Sequence, residues 1–173
     1  YKEDLVLRLL VSYPEKCSGC RSCENFCSLS HQKEINPAKS RIRVVRFEDR
    51  GVFLPVFCVQ CHSPVCKAVC PTRAIYEDAK TGAYLVNNRR CIGCKMCVFA
   101  CPVGAMSIDR IEGAVKCDLC SGDPYCARIC PSKAIEFTEY DRVGMNKKRA
   151  GVTRLLGAAI LKEALVTEIA KRL

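Results

Sequence analysis

The feature that most constrains this chain is a run of four closely spaced cysteines, Cys91, Cys94, Cys97 and Cys101, with Pro102 directly after the last. The spacing is C-x2-C-x2-C-x3-C-P, which is typical of a 4Fe–4S cluster site. The first three thiolates hold one cluster, and the fourth ligates a second cluster that is held by another run. We expect that fourth cysteine to lie at the start of a helix. One such run therefore implies a partner run.

Three further runs repeat the pattern with small changes. Ser28 takes the place of proline after the first run, and the middle spacers of the second and fourth runs are longer. The runs are Cys17, Cys20, Cys23, Cys27; Cys58, Cys61, Cys66, Cys70; Cys91, Cys94, Cys97, Cys101; and Cys117, Cys120, Cys126, Cys130. All sixteen cysteines are candidate iron ligands, and four 4Fe–4S clusters are the predicted cofactors.

Two other uses of so many cysteines are disfavoured by their arrangement. Zinc ribbons use separated C-x2-C pairs, and these runs are three-cysteine groups with an x3-C tail. A disulfide scaffold belongs to exported chains, but Tyr1 to Leu5 carries acidic residues and lacks a signal-peptide pattern. We therefore expect a reducing, cytoplasmic location. No apolar run approaches the roughly 18–20 residues that span a membrane.

The formal net charge of +10 exaggerates how basic the loaded protein would be. A 4Fe–4S core with four thiolates carries about −2 when oxidised, so four of them would leave about +2. The basic excess then balances cluster charge, which argues against nucleic acid as a partner. A zinc-binding nucleic-acid protein remains the alternative of a different class.

The segments between the runs predict an α+β fold built from two bacterial-ferredoxin-like dicluster modules, with short strands and helices around the clusters. After each Cys-Pro pair come two further residues, then an alanine, and then a predicted strand, and this pattern is an internal repeat. Predicted strands cover 5–11, 41–47 and 52–57, and predicted hairpins join 74–77 to 83–86 and 106–108 to 114–116.

The chain changes character after Tyr140. Residues 141–150 are polar and basic, and apolar residues then recur at helical spacing from Gly151 to Leu173. We predict a four-cluster domain over 1–140, followed by a basic linker and a C-terminal docking helix over 141–173. That helix would bind a partner subunit or a second copy of the chain.

The runs and their surroundings resemble the four-cluster iron–sulfur subunits of molybdenum and tungsten oxidoreductases and of related hydrogenase and carbon monoxide dehydrogenase systems. The resemblance rests on segments 20–24, 58–66 and 116–120 and covers about residues 5–138. Spacing alone leaves two pairings of the runs open, neighbour with neighbour or nested. The resemblance implies the nested one, with four ligand sets: Cys17, Cys20, Cys23, Cys130; Cys117, Cys120, Cys126, Cys27; Cys58, Cys61, Cys66, Cys101; and Cys91, Cys94, Cys97, Cys70.

The size and the helical tail most resemble the small subunit of tungsten-dependent aldehyde oxidoreductases. This implies a non-catalytic subunit that relays single electrons between a larger subunit, holding a tungsten or molybdenum pterin, and a flavin subunit or ferredoxin. The sequence carries no phosphate loop, dinucleotide fingerprint or nucleophile–base constellation. Alternatives are a free-standing polyferredoxin and a hydrogenase or carbon monoxide dehydrogenase subunit.

A few residues near the runs carry weaker expectations. Gly19 and Gly93 stand where a loop needs positive φ, and Met96 and Phe99 are expected to pack against a cluster or the core. Two histidines, His31 and His62, are candidates for tuning a cluster by hydrogen bonding. Three lysines, Lys95, Lys116 and Lys133, are expected to be solvated charges that balance the clusters, and the alternative is that their charge raises the local cluster potentials.

Overall fold

The computed structural model describes residues 8–139 as short strands and helices, the predicted α+β class. The strands are β1 (Arg8–Ser12), β2 (Arg43–Phe47), β3 (Val52–Val56), β4 (Ile75–Glu77), β5 (Tyr84–Val86), β6 (Ser107–Asp109), β7 (Gly113–Val115) and β8 (Ile135–Glu139). The helices are α1 (Ser22–Gln32), α2 (Val65–Ala68), α3 (Met96–Phe99) and α4 (Tyr125–Ile129).

The described strands pair only in twos, as β1–β8, β2–β3, β4–β5 and β6–β7. Three of these pairs are antiparallel hairpins between neighbouring strands. The fourth joins the two ends of the described chain, where the Tyr13 N–H donates to the Ala134 carbonyl over 2.8 Å. This closure brings the first cysteine run beside the fourth.

The predicted strands and hairpins are confirmed within a few residues. Gly51, with φ of 60°, turns the chain from β2 into β3. The second predicted turn differs in detail. Asp109 caps it by accepting the N–H groups of Ile111 and Glu112 at 2.7 and 2.9 Å, while Gly113 pairs with Asp109 as the first residue of β7.

The expected position of the fourth cysteine in each run is wrong. Cys70 and Cys101 follow the ends of α2 and α3, and Cys130 caps the end of α4. The reason is the proline after each of them, which disfavours helical backbone at the preceding cysteine. Each short helix therefore ends one or two residues before the cysteine.

Helix α1 has no counterpart among the sequence predictions and follows from the same rule. Ser28 replaces the proline, so the helix continues through Cys27 to Gln32. The Ser28 hydroxyl is fully buried, donates to the Asn25 carbonyl at 2.9 Å and accepts the Asn36 N–H at 3.0 Å. The serine thus ties the helix to the loop that follows it.

Two hydrophobic cores contain or contact cysteines of all four runs. The first contains cysteines of the first and fourth runs with Leu10, Ile42 and Leu119, and α1 packs on α4 beside it. The second contains cysteines of the second and third runs with Ile75 and Met106, and α2 packs on α3. Cys58 of the second run packs against the first core.

Glu24 is a buried carboxylate, 1% exposed, that links the first cysteine run to the β2–β3 hairpin. It accepts the backbone N–H of Val44 at 2.8 Å and the Nε–H of Arg21 at 2.6 Å. Both carboxylate oxygens accept a hydrogen bond, so the carboxylate anchors the β2–β3 hairpin to helix α1.

The predicted C-terminal helix lies outside the described residues. Within residues 8–139, no helix has the length and apolar character needed to cross a membrane.

We expect Glu24→Ala to destabilise the fold by about 1–3 kcal/mol, because it leaves the buried Val44 N–H without its acceptor. Anoxic guanidinium denaturation, followed by visible absorption and circular dichroism, measures the loss as a lower midpoint. The matched control is Glu34→Ala, which breaks an exposed pair with Lys39. Equal midpoints for the two variants would contradict the anchoring role.

Candidate metal centres

All sixteen cysteines lie within the described residues, and all are free thiols. Cys20 and Cys94 are exposed, six others are buried, and the remainder are half-buried. The buried ones are Cys23, Cys27, Cys97, Cys117, Cys126 and Cys130.

The three Cys-Pro turns have the same construction. In each, the N–H of the alanine four residues after the cysteine donates to its Sγ: Ala74 to Cys70 at 3.3 Å, Ala105 to Cys101 at 3.3 Å, and Ala134 to Cys130 at 3.2 Å. The residue before each alanine has positive φ, which turns the N–H towards the sulfur; these residues are Arg73 (51°), Gly104 (63°) and Lys133 (52°). The repeated proline-to-alanine motif is thus a device for hydrogen bonding the fourth thiolate.

Two of the three turns also bring a hydroxyl to the sulfur. Thr72 Oγ1 and Ser132 Oγ each lie 3.7 Å from the Sγ of Cys70 and Cys130, whereas Val103 occupies the same place after Cys101. The first run has no such turn, and its Cys27 Sγ accepts the N–H of Arg41 at 3.4 Å instead. Hydrogen bonds to sulfur are among the factors that set cluster potentials.

Thiols of the first and fourth runs affect one another's ionisation. Burial raises the pKa of Cys117 and of Cys23 to about 12, and that of Cys120 to about 11. Burial also raises the pKa of Cys126, and the thiols of Cys117, Cys27 and Cys120 raise it further. Cys27, the last cysteine of the first run, is thus grouped with the fourth run.

A second group combines the second and third runs. Burial raises the pKa of Cys66, helped by the charges of Cys58 and Cys101. A separate cavity is lined by Cys70 together with the first three cysteines of the third run. In both places the fourth cysteine of one run meets the leading cysteines of the other.

Glycines at positive φ shape the loops around these thiols. Gly19 and Gly93 have φ of 71° and 67°, as predicted. At Gly113, with φ of 74°, an added Cβ would lie 2.9 Å from the Cys91 Sγ, and the Ala114 N–H donates to the same sulfur at 3.4 Å. The hairpin backbone therefore closes directly onto Cys91.

The donor set fits iron–sulfur clusters. Burial raises the pKa of several grouped thiols far above neutrality, so these thiols ionise only when a metal core takes the place of their protons. Backbone N–H groups already point at five of the sulfurs, which is the arrangement that stabilises cluster-bound thiolates.

The predicted accessory residues have mixed outcomes. His31 lies 3.7 Å from the Cys120 Sγ and 3.5 Å from an Asp118 oxygen, and burial lowers the pKa of its ring. His62 is exposed. Met96 and Phe99 are 50% and 83% exposed, so they do not pack in the core, because they stand on a helix too short to bury both faces. Their packing against a cluster stays a prediction.

The expectation of solvated lysines holds for Lys95 and Lys133 and is wrong for Lys116. Lys116 is 3% exposed, because its side chain turns inwards and donates to oxygens of Gln60, Tyr84 and Cys117. This cluster of contacts has no signal in the sequence beyond a lysine next to a cysteine.

Comparison with known proteins places these features in a family. The sequence-family model described as a 4Fe–4S dicluster domain matches residues 50–140. The chain belongs to this family. 4Fe–4S clusters are therefore its cofactors, as the cysteine spacing predicts.

Three relatives extend the match. The polyferredoxin-like subunit of an aliphatic sulfonate oxidoreductase from Pyrococcus furiosus is 49% identical over 118 residues, which are 68% of each chain. The putative electron transport protein YsaA of Escherichia coli is 37% identical, over 82% of this chain and 96% of that one. The E. coli electron transport protein HydN is 32% identical, over 82% and 95%. These relatives confirm the prediction of a non-catalytic electron-transfer protein.

We expect Gly113→Ala to lower the iron content of the purified protein, because the new Cβ would displace the Cys91 sulfur. Gly51→Ala is the matched control, since φ there is 60° and nothing lies within 4 Å of the added Cβ. The control bears only the left-handed backbone strain of about 1–2 kcal/mol. Iron and sulfide analysis of both proteins decides; full iron content in Gly113→Ala would contradict the close packing.

Proposed function

We propose that the chain is a four-cluster electron-transfer subunit of an oxidoreductase complex. The observation that carries this is the grouping of sixteen free thiols, in a dicluster-domain chain, into sets that combine different runs. The proposed ligand sets are Cys17, Cys20, Cys23, Cys130; Cys27, Cys117, Cys120, Cys126; Cys58, Cys61, Cys66, Cys101; and Cys70, Cys91, Cys94, Cys97. When bound, the clusters take up and release single electrons.

The nested pairing has support from several independent features. Each hydrophobic core draws mainly on the two runs that the nested pairing combines, and β1–β8 closes the outer pair. Cys27 raises the pKa of Cys126, and Cys101 raises the pKa of Cys66. Both effects agree with a pairing in which the fourth cysteine of each run ligates the cluster of its partner run. Neighbour pairing would instead require the first and second runs to share a core without the fourth.

The four sites form a line in this proposal. The charge of Cys58 raises the pKa of Cys117, which links the two middle ligand sets. The charge of Cys66 raises the pKa of Cys97, which links the third ligand set to the fourth. The two exposed cysteines, Cys20 and Cys94, belong to the two outer sets. In this arrangement the protein shields the two inner sites from solvent and leaves each outer site accessible to a redox partner.

The end at Cys94 carries apolar side chains suited to a partner protein. Ile92, Met96 and Phe99 are 67%, 50% and 83% exposed and flank the exposed thiol. Exposed apolar groups close together mark interaction sites. This favours a subunit role over a free-standing polyferredoxin, and the P. furiosus relative is itself named as an oxidoreductase subunit.

The proposed partner is a larger catalytic subunit with a tungsten or molybdenum pterin, of the aldehyde oxidoreductase type. A flavin subunit or a ferredoxin would serve the other end of the line. A cytoplasmic location belongs to the same proposal, because free thiols and clusters persist in a reducing compartment.

Anoxic purification from the native source, with analysis of the metals that travel with the chain, tests this function. We expect about sixteen iron and sixteen sulfide per chain, from four cubane clusters, together with tungsten or molybdenum. Nickel in their place would assign the chain to a hydrogenase or carbon monoxide dehydrogenase system. Iron without a companion metal would favour a free polyferredoxin, and about eight iron per chain would overturn the four-cluster count.

The domain division at residue 140 and the docking helix from residue 151 are part of this proposal. Deleting residues 151–173 should leave iron and sulfide unchanged and weaken association with the partner or with a second copy. Size-exclusion chromatography with light scattering measures the assembly of both forms. A truncated chain that assembles as well as the full one would remove the docking role.

A further inference from the structure

Among the lysines of residues 8–139, Lys116 is the one that the fold buries, and it lies directly before the first cysteine of the fourth run. Its ammonium has three N–H groups and no acceptor. Three oxygens receive them: Oε1 of Gln60 at 3.1 Å, the carbonyl of Cys117 at 3.1 Å, and the carbonyl of Tyr84 at a shorter distance. Every donor of the buried cation is therefore used.

The three oxygens come from three separate parts of the chain. Gln60 lies between two cysteines of the second run, Tyr84 begins β5, and Cys117 opens the fourth run. Gln60 strengthens the junction, because its Nε2 donates to the Cys117 carbonyl and its Oε1 accepts the Tyr84 N–H, each at 3.0 Å. Lys116 thus sits where the second run meets the fourth.

The acceptors around Lys116 are neutral, so its charge must be balanced from further away. A buried cation without an anionic partner is strongly disfavoured. Glu112 and Asp118 line a cavity together with Lys116 and are one source of negative charge. The thiolates are the other: burial raises the pKa of Cys66, whereas the charge of Lys116 lowers it. Cys58 also acts on Cys117, so ligands of two neighbouring sets converge beside the lysine.

We propose that Lys116 is the fixed counter-charge of the two inner clusters and raises their reduction potentials above the values they would have without it. The proposal rests on the four-cluster function above. Reduction adds one negative charge to a cluster, and a cation held nearby in a poorly screened interior stabilises the reduced form. Lys116 is a positioning residue: it touches the backbone and Gln60, and it acts on the clusters through its field.

Two substitutions change this charge in different ways. Lys116→Met keeps an unbranched side chain and removes the cation. Gln60→Glu keeps the lysine and the Oε1 acceptor but adds an anion beside it. Since both make the junction more negative by one charge, both should move the same potentials in the same direction. Lys95→Met is the matched control, because Lys95 lies within the third run but is exposed.

The measurement is an anoxic redox titration of the full chain, followed by electron paramagnetic resonance. In Lys116→Met and Gln60→Glu we expect two of the four midpoints to fall. The reduction equilibrium constant should drop at least tenfold at each of these two clusters, which is 59 mV for one electron. The other two midpoints, and all four in Lys95→Met, should stay within a twofold change.

Iron and sulfide content and spin count separate this inference from the function that it rests on. Fewer than four clusters in the unaltered protein would overturn the four-cluster function. Four clusters whose midpoints stay unchanged in both variants, or all fall equally, would overturn the role of Lys116. If Lys116→Met loses clusters, Gln60→Glu decides alone: a fall confined to two midpoints supports the counter-charge, and any other pattern rejects it.

Discussion

The crowding of thiols in and around two small hydrophobic cores is the constraint on which the rest of this structure depends. Burial and the charges of neighbouring thiols raise the pKa of Cys126, and chiefly burial raises that of Cys117 to about 12. The thiolate form of these groups is disfavoured without a metal core. Cluster binding therefore supplies much of the folding free energy.

This constraint explains why the hydrogen bonds of the loops go to sulfur. The N–H groups of a helix bond to carbonyls of the same helix, and those of a strand bond to the paired strand. A loop wrapped around a cluster has N–H groups without carbonyl partners. The Cys-Pro turns resolve this by aiming the alanine N–H at the fourth sulfur in three runs. In the first run, where Ser28 lets the helix continue, the Arg41 N–H takes over that role.

Much of the fold could be predicted from the sequence because its signals are local. Turn residues placed the two predicted hairpins, and the cysteine spacing identified the cofactor that the family assignment supports. Helix α1 was missed although its signal was visible: Ser28 lacks the helix-ending effect of proline. The inward turn of Lys116 could not be predicted, because Gln60 and Tyr84 are 56 and 32 residues away in the chain.

The burial of Lys116 and the exposure of Cys20 and Cys94 belong to one electrostatic arrangement. At an exposed end, water and salt screen the charge of a cluster, and surface lysines such as Lys95 add little to that screening. In the interior neither water nor salt is available, so charge must be balanced by a group built into the fold. In the proposed line of four clusters, the place for such a group is the junction of the inner sites, where Lys116 and Gln60 join the second run to the fourth.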